Sequence, residues 1–200
     1  LASGVAALPA LNYVLLAVDG VTAVDIATPS APQQDTYAFS AGSAIDIAID
    51  GTRAYVGRYN AGLAVLDVSD PTRPVTLGGL DYRGSLPTCL SLAARDSFAF
   101  LSWGPGPQFQ TALVSDPAKP VLVGGDTLFA RPEDMVLRDS FVYCTMVNRF
   151  QVVNVARPRQ PVLVGTCVTQ EDAYGLCLVD SLAYVASYPF AIINIAQPSS

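Results

Sequence analysis

A proline pair with two residues between its members recurs along the chain as Pro29-Ser30-Ala31-Pro32, Pro71-Thr72-Arg73-Pro74, Pro117-Ala118-Lys119-Pro120 and Pro158-Arg159-Gln160-Pro161, and Pro198-Ser199-Ser200 begins a fifth copy. The first prolines are spaced by 42, 46, 41 and 40 residues. An aromatic position, Tyr13, Tyr55, Phe100, Tyr143 and Tyr184, keeps the same beat with steps of 42, 45, 43 and 41. Two markers sharing a period of about 40 to 45 residues, filled with short apolar runs, predict the blades of a β-propeller.

Each period divides into four apolar runs separated by turn residues, as a four-stranded antiparallel blade requires. In the second copy the runs are Ile45 to Ile49, Ala54 to Gly57, Leu63 to Val68 and Pro74 to Leu80, designated A, B, C and D. Asp50-Gly51, Arg95-Asp96, Arg138-Asp139 and Val179-Asp180 stand between A and B, where Gly or Asp tolerates the positive φ of a tight hairpin. The proline pairs stand between C and D and end a ladder cleanly. Blades are expected at about 1–41, 42–85, 86–130, 131–172 and 173–200, the last lacking its D strand. The fold expected is all-β, with four complete blades and most of a fifth. Strand A at one end and strand C at the other cannot complete one blade. The expectation is therefore a segment of a larger ring, partnered by the remaining blades of a parent chain. A closed five-blade ring with a three-stranded last blade is the alternative.

The composition, 51% apolar and 14% charged, suits sheets stacked on both faces. A net charge of −6 with a single lysine argues against nucleic acid as a partner. No apolar run approaches the roughly 18 residues of a membrane helix, so no membrane insertion is expected, and no signal peptide is visible. Histidine is absent, so these residues cannot form a Ser-His-Asp triad, a Cys-His pair or a histidine-ligated metal site. Cys89, Cys144, Cys167 and Cys177 show no CxxC spacing and are expected to be buried apolar residues. A Cys167–Cys177 disulfide is disfavoured, because an outer and an inner strand lie too far apart.

The stretch Ala54-Tyr55-Val56 followed by Gly62-Leu-Ala-Val-Leu-Asp-Val-Ser-Asp-Pro71-Thr-Arg-Pro-Val-Thr-Leu-Gly78 resembles the LVIVD-repeat family of bacterial β-propellers. The third copy departs from it, with Leu113 in place of the aspartate and a longer segment from Trp103 to Gln108, and Asn154 and Asn194 replace the aspartate in the last two. The resemblance implies a secreted or cell-surface propeller without an established catalytic activity. It also implies that A is the inner strand. Asp25, Asp67, Asn154 and Asn194, four residues before each first proline, are read as acceptors for turn amides.

With A innermost, the B-to-C and D-to-A segments share one end of the propeller, and that is where the copies differ. This loop end carries Arg58, Tyr59, Asn60, Tyr82, Arg83, Trp103, Gln108, Arg131, Arg149, Tyr174 and Tyr188, the aromatic and arginine types that binding hot spots use. Asp46 and Asp134 begin strand A, near Glu133, Glu171 and Asp172, and converging oxygens there would suit Ca²⁺. Solvated surface acids are the plainer reading. Three functions follow: a non-catalytic propeller binding a protein or a glycan without cofactor, a carboxylate-lined calcium-dependent hydrolase or lyase, and a structural spacer in an envelope protein.

Overall fold

The computed structural model describes residues 4–39, 43–59, 61–81, 89–103, 108–126, 128 and 130–198. Its first antiparallel sheet contains β1 (Gly4–Leu8), β2 (Tyr13–Ala17), β3 (Val21–Asp25) and β4 (Gln33–Phe39). The second contains β5 (Ala44–Asp50), β6 (Arg53–Arg58), β7 (Gly62–Asp67) and β8 (Val75–Leu80). The third contains β9 (Leu92–Arg95), β10 (Phe98–Ser102), β11 (Phe109–Leu113) and β12 (Val121–Asp126). The fourth contains β13 (Asp134–Arg138), β14 (Phe141–Met146), β15 (Arg149–Asn154) and β16 (Val162–Val168). The fifth has three strands, β17 (Gly175–Val179), β18 (Leu182–Ala186) and β19 (Ala191–Asn194). These sheets are the blades of a five-blade β-propeller. The one helical element among the described residues is a single 3₁₀ turn at Pro9–Leu11, and no helix there is long and apolar enough to cross a membrane.

The turns form for the reasons their residues suggest. Gly51, Asp96, Asp139 and Asp180 hold positive φ in the A-to-B hairpins, and Asn12 does so in the first blade. The side chains of Asp25, Asp67, Asn154 and Asn194 accept the backbone N–H two residues on, at 2.7 to 2.9 Å, and so start the turn that the prolines finish. In each of the four-stranded blades the C–D ladder slips by one residue at the same register, between Ala23/Val24, Val65/Leu66, Thr111/Ala112 and Val152/Val153. A repeated bulge of this kind bends each outer strand in the same sense.

Inner strands pack successively, β1 on β5, β5 on β9, β9 on β13 and β13 on β17. Between the sheets lie four apolar clusters. One joins the first two blades, through Leu15, Ala23, Ile47 and Leu66 among others, and another joins the fourth to the fifth through Tyr143, Phe150, Ala183 and Val185. Burying one such side chain contributes about 1.5–3 kcal/mol. The opposite face of the fifth blade lacks this cover among the described residues. Phe190, which occupies the place of Phe150 in the repeat, is 60% exposed where Phe150 is 2% exposed.

Two further contacts join neighbouring blades at the A-to-B end. Arg95 donates to the carbonyl of Asp139, and Arg138 Nη1 donates to the carbonyl of Asp180 at 2.5 Å while its guanidinium lies 5.7 Å from the Tyr143 ring centre. Arg138→Ala is expected to cost about 1 kcal/mol in chemical denaturation, the usual worth of one such hydrogen bond. An unchanged midpoint would remove the contact from the account of stability.

The cysteines divide. Cys89 and Cys144 are buried as expected, and burial raises their thiol pKa well above the ordinary value. Cys167 and Cys177 are exposed instead, one on the outer strand β16 and the other on the uncovered face of β17. All four are free thiols.

Candidate functional site

Asp46 is the third residue of inner strand β5 and Asp134 the first of β13, and both accept the next backbone amide and an amide of the following inner strand. Asp46 Oδ1 accepts the Ile47 N–H at 2.8 Å, and its Oδ2 accepts the Leu92 N–H at 2.8 Å and the Ser91 hydroxyl at 3.0 Å. Asp134 Oδ1 accepts the Met135 N–H at 2.7 Å and its Oδ2 the Leu176 N–H at 2.8 Å. Each carboxylate therefore ties its inner strand to an amide at the start of the next inner strand, the first residue of β9 and the second of β17. Burial dominates their electrostatics: it pushes the Asp46 carboxyl up to about 6 and raises that of Asp134, against the downward pull of the amides.

Both acids are taken up by neighbouring amides, and among the described residues no three acidic or cysteine side chains converge as a metal site. Inner strands β5, β9 and β13 line an open depression of about 330 Å³ with Ala48, Ala93, Ala94, Val136 and Arg95 in its wall. The wall is mostly aliphatic and carries no carboxylate. Glu133 lies outside this wall, with its backbone N–H on the Thr145 carbonyl at 2.8 Å.

The B-to-C and D-to-A segments do share one end. Tyr59 N–H donates to the Ser43 carbonyl, Thr169 N–H to Asn148 and Tyr174 N–H to Ala186, so backbone bonds stitch the two sets of loops together. Of the aromatics expected on this surface, Tyr188 is 83%, Tyr174 65% and Tyr59 53% exposed. Trp103 is not among them. It is 3% exposed, packs with Leu63, Leu101 and Val114, and lies against Gly62, so the largest side chain of the third copy is core.

Arg58 is likewise committed, donating through Nη2 to the carbonyls of Ala61 and Leu63 and pairing with Asp81 at 3.1 Å. It braces its own loop. Gln108 closes the loop of the third blade by accepting the Trp103 N–H at 2.9 Å through its backbone carbonyl. Arg131 and Arg149 are half-buried. Asn60, Tyr82 and Arg83 lie outside the described residues.

What the fold does bring together is a cleft of about 410 Å³ at the loop end of the fifth blade, lined by Glu171, Asp172, Tyr174, Ala186, Ser187 and Tyr188. The Tyr174 hydroxyl donates to Asp172 Oδ2 at 3.3 Å, and that negative neighbour raises the phenol pKa, with a smaller push from Glu133. Ser187 Oγ donates to the Pro189 carbonyl at 2.8 Å and shapes the other wall. The sequence supplied both tyrosines and both acids as separate candidates, one pair for a binding surface and the other for a metal. Only the pairing of strand ends across β17 and β18 shows that they form one cleft.

Residues 41–81 match the family model of the LVIVD repeat, and the other blades repeat the strand pattern of that segment. The chain is a β-propeller whose second blade carries the LVIVD repeat. Its fold is similar to the computationally designed Ika8 protein, with a TM-score of 0.70 and 12% identity over 97% of this chain and 58% of that one. It is also similar to the designed Ika4 protein, with a TM-score of 0.60 and 11% identity over 76% of this chain and 89% of that one. A third similar structure is Citrobacter koseri AztD, with a TM-score of 0.55 and 13% identity over 94% of this chain and 55% of that one. The LVIVD-repeat propeller thus spans little more than half the length of two of these structures. Comparison with curated proteins finds no match. At such identities the likeness is one of fold, and the loop end must be interpreted from its own residues.

Proposed function

We propose that this LVIVD-repeat propeller is a non-catalytic binding module that meets a protein or a glycan through its loop end, with the cleft between Tyr174 and Tyr188 at the centre of contact. One observation carries the proposal: the two inner-strand acids are bonded within the blades, while the aromatic faces beside Glu171 and Asp172 stand exposed on backbone-tied loops. Rigidly presented tyrosines bind with little entropy to lose, and neighbouring carboxylates select basic side chains or sugar hydroxyls. The repeat's resemblance to cell-surface and secreted propellers is the ground for placing the module at the cell surface or outside the cell.

The test is a screen of immobilised protein against a glycan array and a library of basic peptides, followed by Tyr174→Ala and Tyr188→Ala. Each substitution is expected to weaken a detected interaction by about tenfold and to leave thermal stability within about 0.5 kcal/mol, as exposed positions do. Interaction with neither library, or affinity indifferent to both substitutions, would overturn the assignment.

A further inference from the structure

The loop-end cleft lies where the fifth blade departs from its neighbours. Gly175 pairs with Ala186 as Asp134 pairs with Thr145 one blade earlier, so Gly175 holds the inner-strand place that Asp46 and Asp134 fill with a carboxylate. A Cβ on Gly175 would meet only the Ala186 Cβ, at 3.3 Å. The place that two other blades close with a tied acid is therefore open here, beside a residue that lines the cleft. The acids of this blade stand instead at Glu171 and Asp172, in the cleft wall. We infer, resting on the loop end as the binding surface proposed above, that this cleft receives the guanidinium of an arginine on a partner polypeptide.

Charge is the first ground. Glu171 and Asp172 line the cleft, no basic side chain does, and Glu133 lies close enough to act on the Tyr174 phenol. None of these three carboxylates joins an ion pair among the described residues. Such a field attracts a cation and gives a neutral sugar no advantage.

The chemistry of the walls decides which cation. Asp172 Oδ2 accepts the Tyr174 hydroxyl at 3.3 Å, while its Oδ1 and the Glu171 carboxylate accept no hydrogen bond among the described residues. Open acceptors call for a ligand with N–H donors, which a quaternary ammonium lacks. A calcium ion needs six to eight converging oxygens, and no such cluster forms among the described residues. A guanidinium meets both demands of the cleft, because its edge donates in a fork to carboxylates while its flat face lies on a tyrosine ring. The walls are also set in advance. Tyr174 N–H donates to the Ala186 carbonyl at 3.0 Å, Ser187 N–H to the Val185 carbonyl at 3.0 Å and the Thr169 hydroxyl to the Glu171 carbonyl at 2.7 Å. Little ordering remains for a ligand to impose.

The probe is the capped peptide Gly-Ser-Arg-Ser-Gly, titrated into the whole chain and followed through the ring NMR signals of Tyr174 and Tyr188. Its control carries citrulline in place of arginine, which keeps the shape and removes the charge. The arginine peptide is expected to shift both ring signals and to bind about tenfold or more tightly than the control. Glu171→Gln combined with Asp172→Asn is expected to abolish that preference, and Tyr188→Ala to weaken the arginine peptide several-fold. Equal affinity for the two peptides, a preference that survives loss of both carboxylates, or no shift at millimolar arginine peptide would each overturn the inference. Glycan binding that Tyr174→Ala abolishes, without arginine binding, would overturn it and leave the loop end standing as a binding surface. Binding of neither peptide, basic library nor glycan would remove both.

Discussion

Gly78→Val is expected to lower the melting temperature by about 6–12 °C, the shift that about 3 kcal/mol produces in a domain of this size. A Cβ at Gly78 would lie 2.4 Å from the Pro117 carbonyl oxygen and 2.6 Å from the Ala118 Cα, and both obstacles are backbone of the next blade. Neither can rotate away, so the sheets must separate locally and lose apolar contact along Leu77 and Val114. The same seat recurs at Gly124 under the Pro158–Arg159 turn and at Gly165 under Pro198. Gly51→Ala is the control. Gly51 has φ of +61° and open space around it, so alanine there meets only the left-handed penalty of about 1–2 kcal/mol. Thermal unfolding followed by circular dichroism compares the two, and a Gly78→Val protein melting with the wild type would show that the proline turn does not bear on that strand.

This contact explains the wording of the repeat, and why its meaning is hidden in the sequence. Within one copy the prolines and the glycine look like parts of a single turn and strand. In space they belong to different partnerships, since the proline turns of the third, fourth and fifth blades each rest on the glycine of the blade before. Strand order, hairpin positions and the side-chain caps at Asp67 and Asn154 could be read from spacing, because each is decided within about ten residues. Contacts between blades join residues some 40 positions apart and leave no local signature. Trp103 shows the cost of reading a loop residue by type: an aromatic beside glycines and prolines looks like a binding side chain, yet the room left over Gly62 draws it into the core. The cleft was half legible. Tyr174 and Tyr188 could be selected as loop residues, and Tyr174 stands two residues from Asp172, whereas the approach of Tyr188 to that pair depends on how β17 and β18 pair.

Stability is expected to fall as pH rises from about 4 to about 6, in a component that Asp46→Asn removes. Asp46 accepts the amides of Ile47 and Leu92 and the Ser91 hydroxyl, all of which favour its ionised form. Burial outweighs them, with a small further push from Asp134, and the carboxyl is held up to about 6 against 3.8 in its ordinary state. The folded protein keeps this proton over a range in which the unfolded chain has already released it. Stability linked to the group is thus complete below about pH 4 and is lost as pH rises through 6. At about 1.4 kcal/mol for each tenfold change in proton affinity, the loss across that window comes to about 3 kcal/mol. Asp67 and Asp70 run the other way, since amides and hydroxyls at the proline turn lower their values, and their linked stability is lost on acidification below the ordinary carboxylate range. Subtracting the Asp46→Asn curve from the wild type isolates the buried acid, whose substitution keeps the size of the side chain. Denaturation midpoints measured every half unit from pH 4 to 7 decide the matter: curves that converge towards pH 4 and separate by pH 6 fit a buried proton at the blade junction, and parallel curves would show that the inner-strand acid is ionised throughout.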